Sequence, residues 1–344
     1  MAFTNVGNTN GGIITLPGVR TSDAAPMTMD AAGIASGGAF LVSELEKRDT
    51  LIREPLTSVT YPRDVPIETG GGWVDYVSAM SVAYGLTNGA QNGPVHAGGA
   101  NVVPVVQASM DKGLFKAHTF AVAMRIMFVD MAKSNFIGRS LDQILTQGVR
   151  LAYDKHMDAN VYVGLDDYGT TGLINNAQAT ETTAAAGAST YTTWDKKTPA
   201  EILKDVNTAL SAAWLAAEYD ASAVPNHILL PFEQYTYIMN TPVSDLATRS
   251  IMDYIMENNI ASKNGGSLYI GATRWLDGAG TDSKDRMVVY INDKRFVKVD
   301  ELVPLARVMT SPNATEVCYD TSFMANVSEV QLFYPDTMIY VDGI

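Results

Sequence analysis

The sequence has one cysteine, Cys318, in 344 residues. An intrachain disulfide is therefore excluded, and stability has to come from packing or from assembly. Between Val317 and Tyr319, Cys318 reads as a small buried hydrophobe rather than a reactive thiol. Positive charge is also scarce: 24 Lys and Arg stand against 37 Asp and Glu, a net charge of -13. Such a surface repels phosphate, which argues against sequence-specific nucleic-acid binding as the main activity, though not against DNA as a neighbour. Long apolar runs are missing too. The most apolar stretch, Phe120 to Ala132, is interrupted by Arg125 and Asp130. It is shorter than the ~20 residues that cross a bilayer. With no basic start followed by an apolar segment, no secretion signal is expected. The chain is read as soluble and made in a cytoplasm, with no membrane partner. The glycosylation triplets at Asn313 and Asn326 are then read as chance matches.

The motifs of common chemistries are absent as well. There is no phosphate-cradling Gly-x-x-x-x-Gly-Lys loop, no Gly-x-Ser-x-Gly elbow, no Cys-x-x-Cys and no His-Glu-x-x-His. Four histidines, His96, His118, His156 and His227, are scattered. His156 beside Asp154 and Asp158 has the look of a metal fragment, but a solvated helix face explains it. His227 opens an apolar strand and reads as structural. Asp166-Asp167 in a Gly-rich turn is the most tempting cation site; an ordinary polar turn is the better explanation. Asp253 and Glu257 fit one hydrated helix face. No constellation amounts to an active site, so no catalytic residue, metal or cofactor is expected and the chain is read as no enzyme.

What is present is architectural. Hydrophobic residues make up 47% of the chain, enough for a sizeable core. Residues 1 to about 38 are rich in Gly, Ala, Thr, Ser and Asn with no sustained period, an arm that cannot offset its ordering entropy alone. Phe40 to Arg48 reads as a short helix. Trp73–Val82 reads as a strand and Val102–Gln107 as its return. The connection between them, Gly85 to Gly99, holds Asn-Gly pairs at Asn88 and Asn92, which favour positive φ. A long two-stranded projection results, and a lone hairpin is marginal in water.

Ser134 to Val161 is the longest helix candidate, with Ile137, Leu141, Ile144, Leu145, Leu151 and Ala152 as its apolar face and Ser134 as its cap. Residues 176 to 193 read as a surface excursion. Thr198-Pro-Ala-Glu201 is a capping box opening a helix over Leu203, Val206, Leu210 and Trp214. Asn226–Leu230 is a strand, Phe232–Met239 a helix, Asp245–Asn258 another, and Ser267–Ile270 a strand. Arg286–Ile291 and Lys294–Val299 read as a hairpin around Asn292-Asp293, with more strands from Leu302 to Ile344. The fold class expected is α+β. An arm, a projecting hairpin, a girder helix and a compact lobe do not make a tidy monomer. Two of the four need partners.

The order of these parts resembles the Hong Kong 97-type fold of tailed-phage major capsid proteins. The local likeness lies in Gly164-x7-Gly172-Leu-Ile-Asn175 after the long helix and in Pro199 to Met239 with Asn226-His-Ile-Leu-Leu-Pro231. It continues in Pro242 to Ile255 followed by Asn258, and in the closing Phe333 to Gly343. The resemblance implies an N-terminal arm over 1–50 and an extended loop with flanking strands over 51–118. It implies a peripheral domain over 119–197 with a spine helix at 136–161, an axial domain over 198–297, and return strands over 298–344. It implies a non-enzymatic shell subunit that forms pentamers and hexamers around double-stranded DNA, in the virion, after assembly in the bacterial cytoplasm. Portal and scaffold proteins, and in some members a decoration or cementing protein, are the implied partners. Contacts between subunits are expected at Asn88, Gly89, Asn92 and Gly93 at the loop tip and at Arg53, Arg63 and Asp64 leading into it. A large cleaved N-terminal segment is not expected after Met1. The loop from Val59 to Gln107 has no lysine, so the lysine–asparagine crosslink of some members is not expected either. The alternatives are an encapsulin-like compartment shell, a tail or baseplate protein and, in a different class, a metal-dependent hydrolase using Asp166 and Asp167.

Overall fold

The computed structural model describes residues 57–87, 105–137, 140–244 and 249–344. The arm, the short helix expected at 40–48 and the loop tip lie outside the described residues. The elements are α1 (Tyr61–Asp64), β1 (Ile67–Thr69), β2 (Tyr76–Thr87), β3 (Val105–Met127), α2 (Phe128–Ile137) and α3 (Leu141–Tyr162). They continue with β4 (Thr180–Thr183), α4 (Pro199–Ala216), β5 (His227–Leu230), α5 (Phe232–Asn240), α6 (Ile251–Asn258) and α7 (Ile260–Lys263). The chain closes with β6 (Tyr269–Ala272), β7 (Arg286–Tyr290), β8 (Val297–Asn313), β9 (Cys318–Ser328), β10 (Gln331–Leu332) and β11 (Ile339–Asp342).

Two sheets form. One is long, in the order β1-β8-β9-β3-β2 with β10 on β8; the other is compact, in the order β4-β11-β7-β5-β6. The inner strands of the compact sheet, β11, β7 and β5, are buried on both faces, which is why they are largely apolar runs, while the edge strand β4 is polar and exposed. Ile228, Leu230, Met287, Val289, Ile339 and Val341 pack on one side with Ile202, Val206 and Leu210 of α4. The alternate residues Leu229, Val288 and Tyr340 enter a second core with Tyr153, Met157 and Val161 of α3.

Besides the helix expected over Asp245–Asn258, which begins only at Ile251 after the Ser250 cap, three expectations change. The long helix starts at Leu141, not at Ser134 or Phe136: Ser140 is its cap, and its hydroxyl accepts from the Gln143 N–H at 3.4 Å. Ser134 belongs to α2, and its hydroxyl accepts from the Leu141 N–H at 3.1 Å. At 22 residues α3 spans about 33 Å. Its core stripe is Val149, Tyr153, Met157 and Val161, four apart; Ala152 is exposed. Second, β7 and β8 are not a hairpin. Both edges of β7 are already taken, by β5 and by β11. After Asn292 a turn closes, the Asp293 carbonyl accepting from the Phe296 and Val297 N–H groups, and β8 joins the other sheet. Third, the excursion at 176–193 contains β4, an edge strand parallel to β11.

Several expectations hold closely. The capping box at Thr198 and Glu201 is formed. Cys318 is free and buried. The Gly164–Asn175 turn has a clear logic. Gly164 sits at φ +81°, and a Cβ on Gly172 would lie 2.2 Å from the Tyr162 carbonyl oxygen. Asn175 closes the turn, accepting from the Gly172 N–H and donating to the Val163 carbonyl, each at 2.7 Å.

Candidate functional site

Strand β3 runs for 23 residues, and its two halves have different partners. From Ala117 to Met127 it pairs with β9. From Val105 to Lys116 it pairs only with β2, in an unbroken antiparallel register from Tyr76↔Lys116 to Thr87↔Val105. A projecting ribbon is expected from sequence, but its pairing differs: Val105–Gln107 of the expected return strand meets Gly85–Thr87 of the expected connection, and Tyr76–Val82 meets Met110–Lys116.

Because side chains alternate across a strand, the even-numbered residues of β3 share one face. On the paired half that face is covered: Val122, Met124 and Ile126 pack with Leu141, Leu145 and Val149 of α3. On the ribbon the same face is bare. Val106, Met110 and Leu114, with Met80, Val82, Tyr84 and Tyr76 across the ladder, are between 42% and 77% exposed. The opposite face near the root turns toward the chain's own body, where Phe115 meets Phe333 edge-on at 5.7 Å. An apolar stripe of this length left uncovered by the described residues is a candidate contact surface.

The root of the ribbon is held by a polar junction. Asp64 is fully buried at the end of α1. It receives Arg63 Nε and Nη2 at 2.6 and 2.8 Å and the Tyr162 hydroxyl, and lies 3.2 Å from His227 Nε2. Burial works to raise its carboxyl, but the His227, Arg63 and Tyr162 hydrogen bonds outweigh it and hold it below the usual value. Burial, then the Asp64 charge, pushes the Tyr162 phenol up. Asp158, a helical turn before Tyr162 on α3, anchors the start of α1 in the same way. Its carboxylate accepts from the Thr60 and Tyr61 N–H groups at 3.0 and 3.3 Å and from Trp275 Nε1 at 2.7 Å.

Of the expected contact residues, Arg63 is partly exposed and Asp64 is buried. Arg53, Asn88, Gly89, Asn92 and Gly93 lie outside the described residues. Asp166 and Asp167 stand exposed in a one-turn 3-10 helix. His156 meets His118 instead of a carboxylate, and no group of three or more metal-ligating side chains gathers among the described residues. Sequence reasoning missed the junction of Asp64 and Asp158. The available signal was a charged residue inside an otherwise apolar helix face, Met157-Asp158 to Val161.

A family described as "Major capsid protein" matches residues 93–344. No curated protein sequence matches. Among solved structures, the capsid of Myoviridae phage XM1 aligns with a TM-score of 0.70 at 12% identity, over 88% of this chain and 98% of that one. The capsid of a native GTA particle aligns with a TM-score of 0.63 at 11% identity, over 90% and 97%. A chain of Microbacterium phage Oxtober96 aligns with a TM-score of 0.57 at 15% identity, over 88% and 98%. At these identities the likeness is one of fold: the mixed α+β, Hong Kong 97-type architecture expected from the order of elements.

Proposed function

This chain belongs to the major capsid protein family, and we propose that its copies gather into pentamers and hexamers that close an icosahedral phage head around double-stranded DNA. Membership makes the chain a structural subunit of a virion shell. The finer assignments rest on the resemblance in layout: an arm over 1–50, an extended loop over 51–118, a peripheral domain over 119–197 closed by return strands over 298–344, and an axial domain over 198–297. Assembly in the host cytoplasm, a portal and a scaffold belong to the same reading, as does a decoration protein where one is used. So does proximity to DNA without sequence recognition, which suits a net charge of -13. No catalytic role is proposed for Asp166 or Asp167. Among the described residues no helix is long and apolar enough to cross a membrane.

The observation that carries the proposal is the bare even face of the ribbon. One strand shows the same apolar face twice, covered by its own helix beyond His118 and uncovered before Lys116. Each large side chain on it contributes roughly 1.5–3 kcal/mol when fully buried, so a neighbouring copy is the natural cover. Asn88, Gly89, Asn92, Gly93, Arg53 and Arg63 are proposed to share that contact, with Asp64 holding Arg63 in place.

The test is a Met80→Glu, Met110→Glu double variant. Its subunit is expected to melt within about 2 °C of the parent, since exposed positions change stability by under ~0.5 kcal/mol, and to form no closed shells in negative-stain micrographs. Normal shells from this variant overturn the assignment of the ribbon. Parent particles filled with protein cargo in place of DNA identify a compartment shell instead.

A further inference from the structure

His118 on β3 and His156 on α3 face each other nitrogen to nitrogen, Nε2 to Nε2, at 3.3 Å. His118 is 7% exposed. Tyr168 stacks on its ring at 5.9 Å, and Phe120 lies against His156 at 5.0 Å. The Nδ1 of His118 is buried and has no partner among the described residues. No third His, Cys, Asp or Glu among the described residues joins the pair. Two imidazoles fall short of the three or four protein ligands of a zinc site.

The position is specific. His118 pairs with Val327 of β9, two residues after the ribbon ends at Lys116. The pair therefore ties the root of the ribbon to the long helix.

We infer that the His118–His156 contact is an acid-opened latch between the ribbon and α3. The reason is a count of protons over four ring nitrogens. With both rings neutral one arrangement satisfies the site: His118 Nε2–H donates, His156 Nε2 accepts, and the buried His118 Nδ1 carries only a lone pair. Adding one proton leaves three N–H groups and a single bare nitrogen. If the bare nitrogen is either Nε2, the bond survives but His118 Nδ1 gains a proton with no acceptor in a buried place. If it is either Nδ1, two N–H groups face each other at 3.3 Å. Every protonated arrangement is penalised, and opening the contact to water relieves it.

The surroundings do not offset the charge. Burial lowers both imidazoles, His118 to about 4 with His156 as the further cause. The charged group of β3 nearest the pair, Lys116, donates its ammonium to the Tyr168 and Gly169 carbonyls. Beyond β9, Glu329 receives the Lys116 N–H. On α3, Asp154 and Lys155 precede His156 in sequence and Asp158 follows it, and Asp166 and Asp167 stand exposed in the turn that carries Tyr168. None of these carboxylates is a cause of either shift.

The sign follows. Both imidazoles are lowered, so the opened state binds protons more readily than the closed one. The latch is intact above about pH 6.5 and weakens from there down to about pH 4, where the closed pair also protonates. Its consequence in a particle, a freer ribbon in acid, rests on the shell reading. The latch itself does not.

The test is hydrogen exchange with mass spectrometry on the full chain between about pH 7.5 and 4.5, with the intrinsic chemical exchange rate divided out. Peptides spanning 105–120 and 150–165 are expected to open on the order of tenfold more per pH unit below about 6.5, for one proton taken up. Peptides from the compact sheet should not follow. In His118→Gln, His156→Gln, whose amides hydrogen-bond without titrating, the acid response of those two peptides should vanish. An unchanged response in that variant overturns the latch. Should the variant not fold, an NMR titration of the parent decides: two imidazoles titrating independently near about 6.5 overturn it, and two lowered, coupled titrations support it. Neither readout requires shells, so failure here leaves the shell reading standing.

Discussion

Asp64 and His227 are 163 residues apart in the chain and 3.2 Å apart in space, and both are buried. One ends α1 just ahead of the ribbon; the other opens β5 of the compact sheet. The junction also takes in Tyr162 at the end of α3, and the Tyr290 hydroxyl of β7, which donates to the Asp64 carbonyl. Four elements thus meet on one residue, which fixes where the ribbon leaves the body.

Removing the Asp64 carboxylate leaves Arg63, His227 and Tyr162 without their acceptor. Asp64→Ala is expected to cost about 3–5 kcal/mol in urea denaturation, the range for breaking a buried ionic pair. Its pH dependence has a definite sign. The folded carboxyl is held below its ordinary 3.8, so the stabilisation is complete above that value and fades as pH falls through the lowered one. Asp64→Asn should flatten this acid limb relative to the parent. Parallel stability curves for parent and variant below about pH 5 would sink the idea.

Gly172 is the tightest glycine among the described residues. A Cβ there would sit 2.2 Å from the Tyr162 carbonyl oxygen and 2.6 Å from the Val163 amide nitrogen, and backbone cannot yield as a side chain does. Gly172→Ala is expected to lower stability by at least about 1–3 kcal/mol. Gly148, inside α3, meets nothing within 4 Å, so Gly148→Ala should raise stability by about 0.5–1 kcal/mol. Opposite shifts in melting temperature are the expected pair of results.

Arg286 forks onto Asp342 at 2.7 and 2.9 Å, and donates to the Ile174 carbonyl at 2.8 Å and to Glu181 at 2.7 Å. Burial works to raise the Asp342 carboxyl, and the Arg286 fork with the Thr281 N–H more than offsets it. A lysine keeps the charge but cannot make the fork. Arg286→Lys should therefore destabilise by roughly 2 kcal/mol or more, since it strips partners from a buried carboxylate. A stability within experimental error of the parent would contradict this.

Leu145 lies in the interior of α3 and packs with Met124, Ile126 and Phe323. Leu145→Pro removes a helical hydrogen bond and clashes with the preceding turn, at a cost of ~3 kcal/mol or more. Loss of soluble, folded subunit is the expected result. Retained helical circular dichroism with a normal melting curve would show that α3 is not needed for folding.

Local signals are legible where a few neighbouring residues decide the outcome. The capping box of Thr198 and Glu201, the apolar strand His227–Leu230 and the Gly164-to-Asn175 turn are all of that kind. The start of α3 is not legible in the same way, because Ser134 and Ser140 are both plausible caps and the choice depends on how α2 packs beside α3. The false hairpin at Asn292-Asp293 has the same origin. The turn residues are right for one, but β7 has no free edge. The Asp64 junction is out of reach of local reading because its members come from four separate segments.

The sequence by itself determined the composition of the core, the period-2 stripe of β3 and the acidic, disulfide-free character of the chain, since each follows from residue type and spacing. The tertiary structure alone decided what covers that stripe. Alternation says that Val106, Met110 and Leu114 share a face with Val122, Met124 and Ile126, but not that α3 reaches only the second group. That depends on a helix about 33 Å long lying across a strand that outruns it, and the uncovered remainder is the surface proposed above to meet a neighbouring copy.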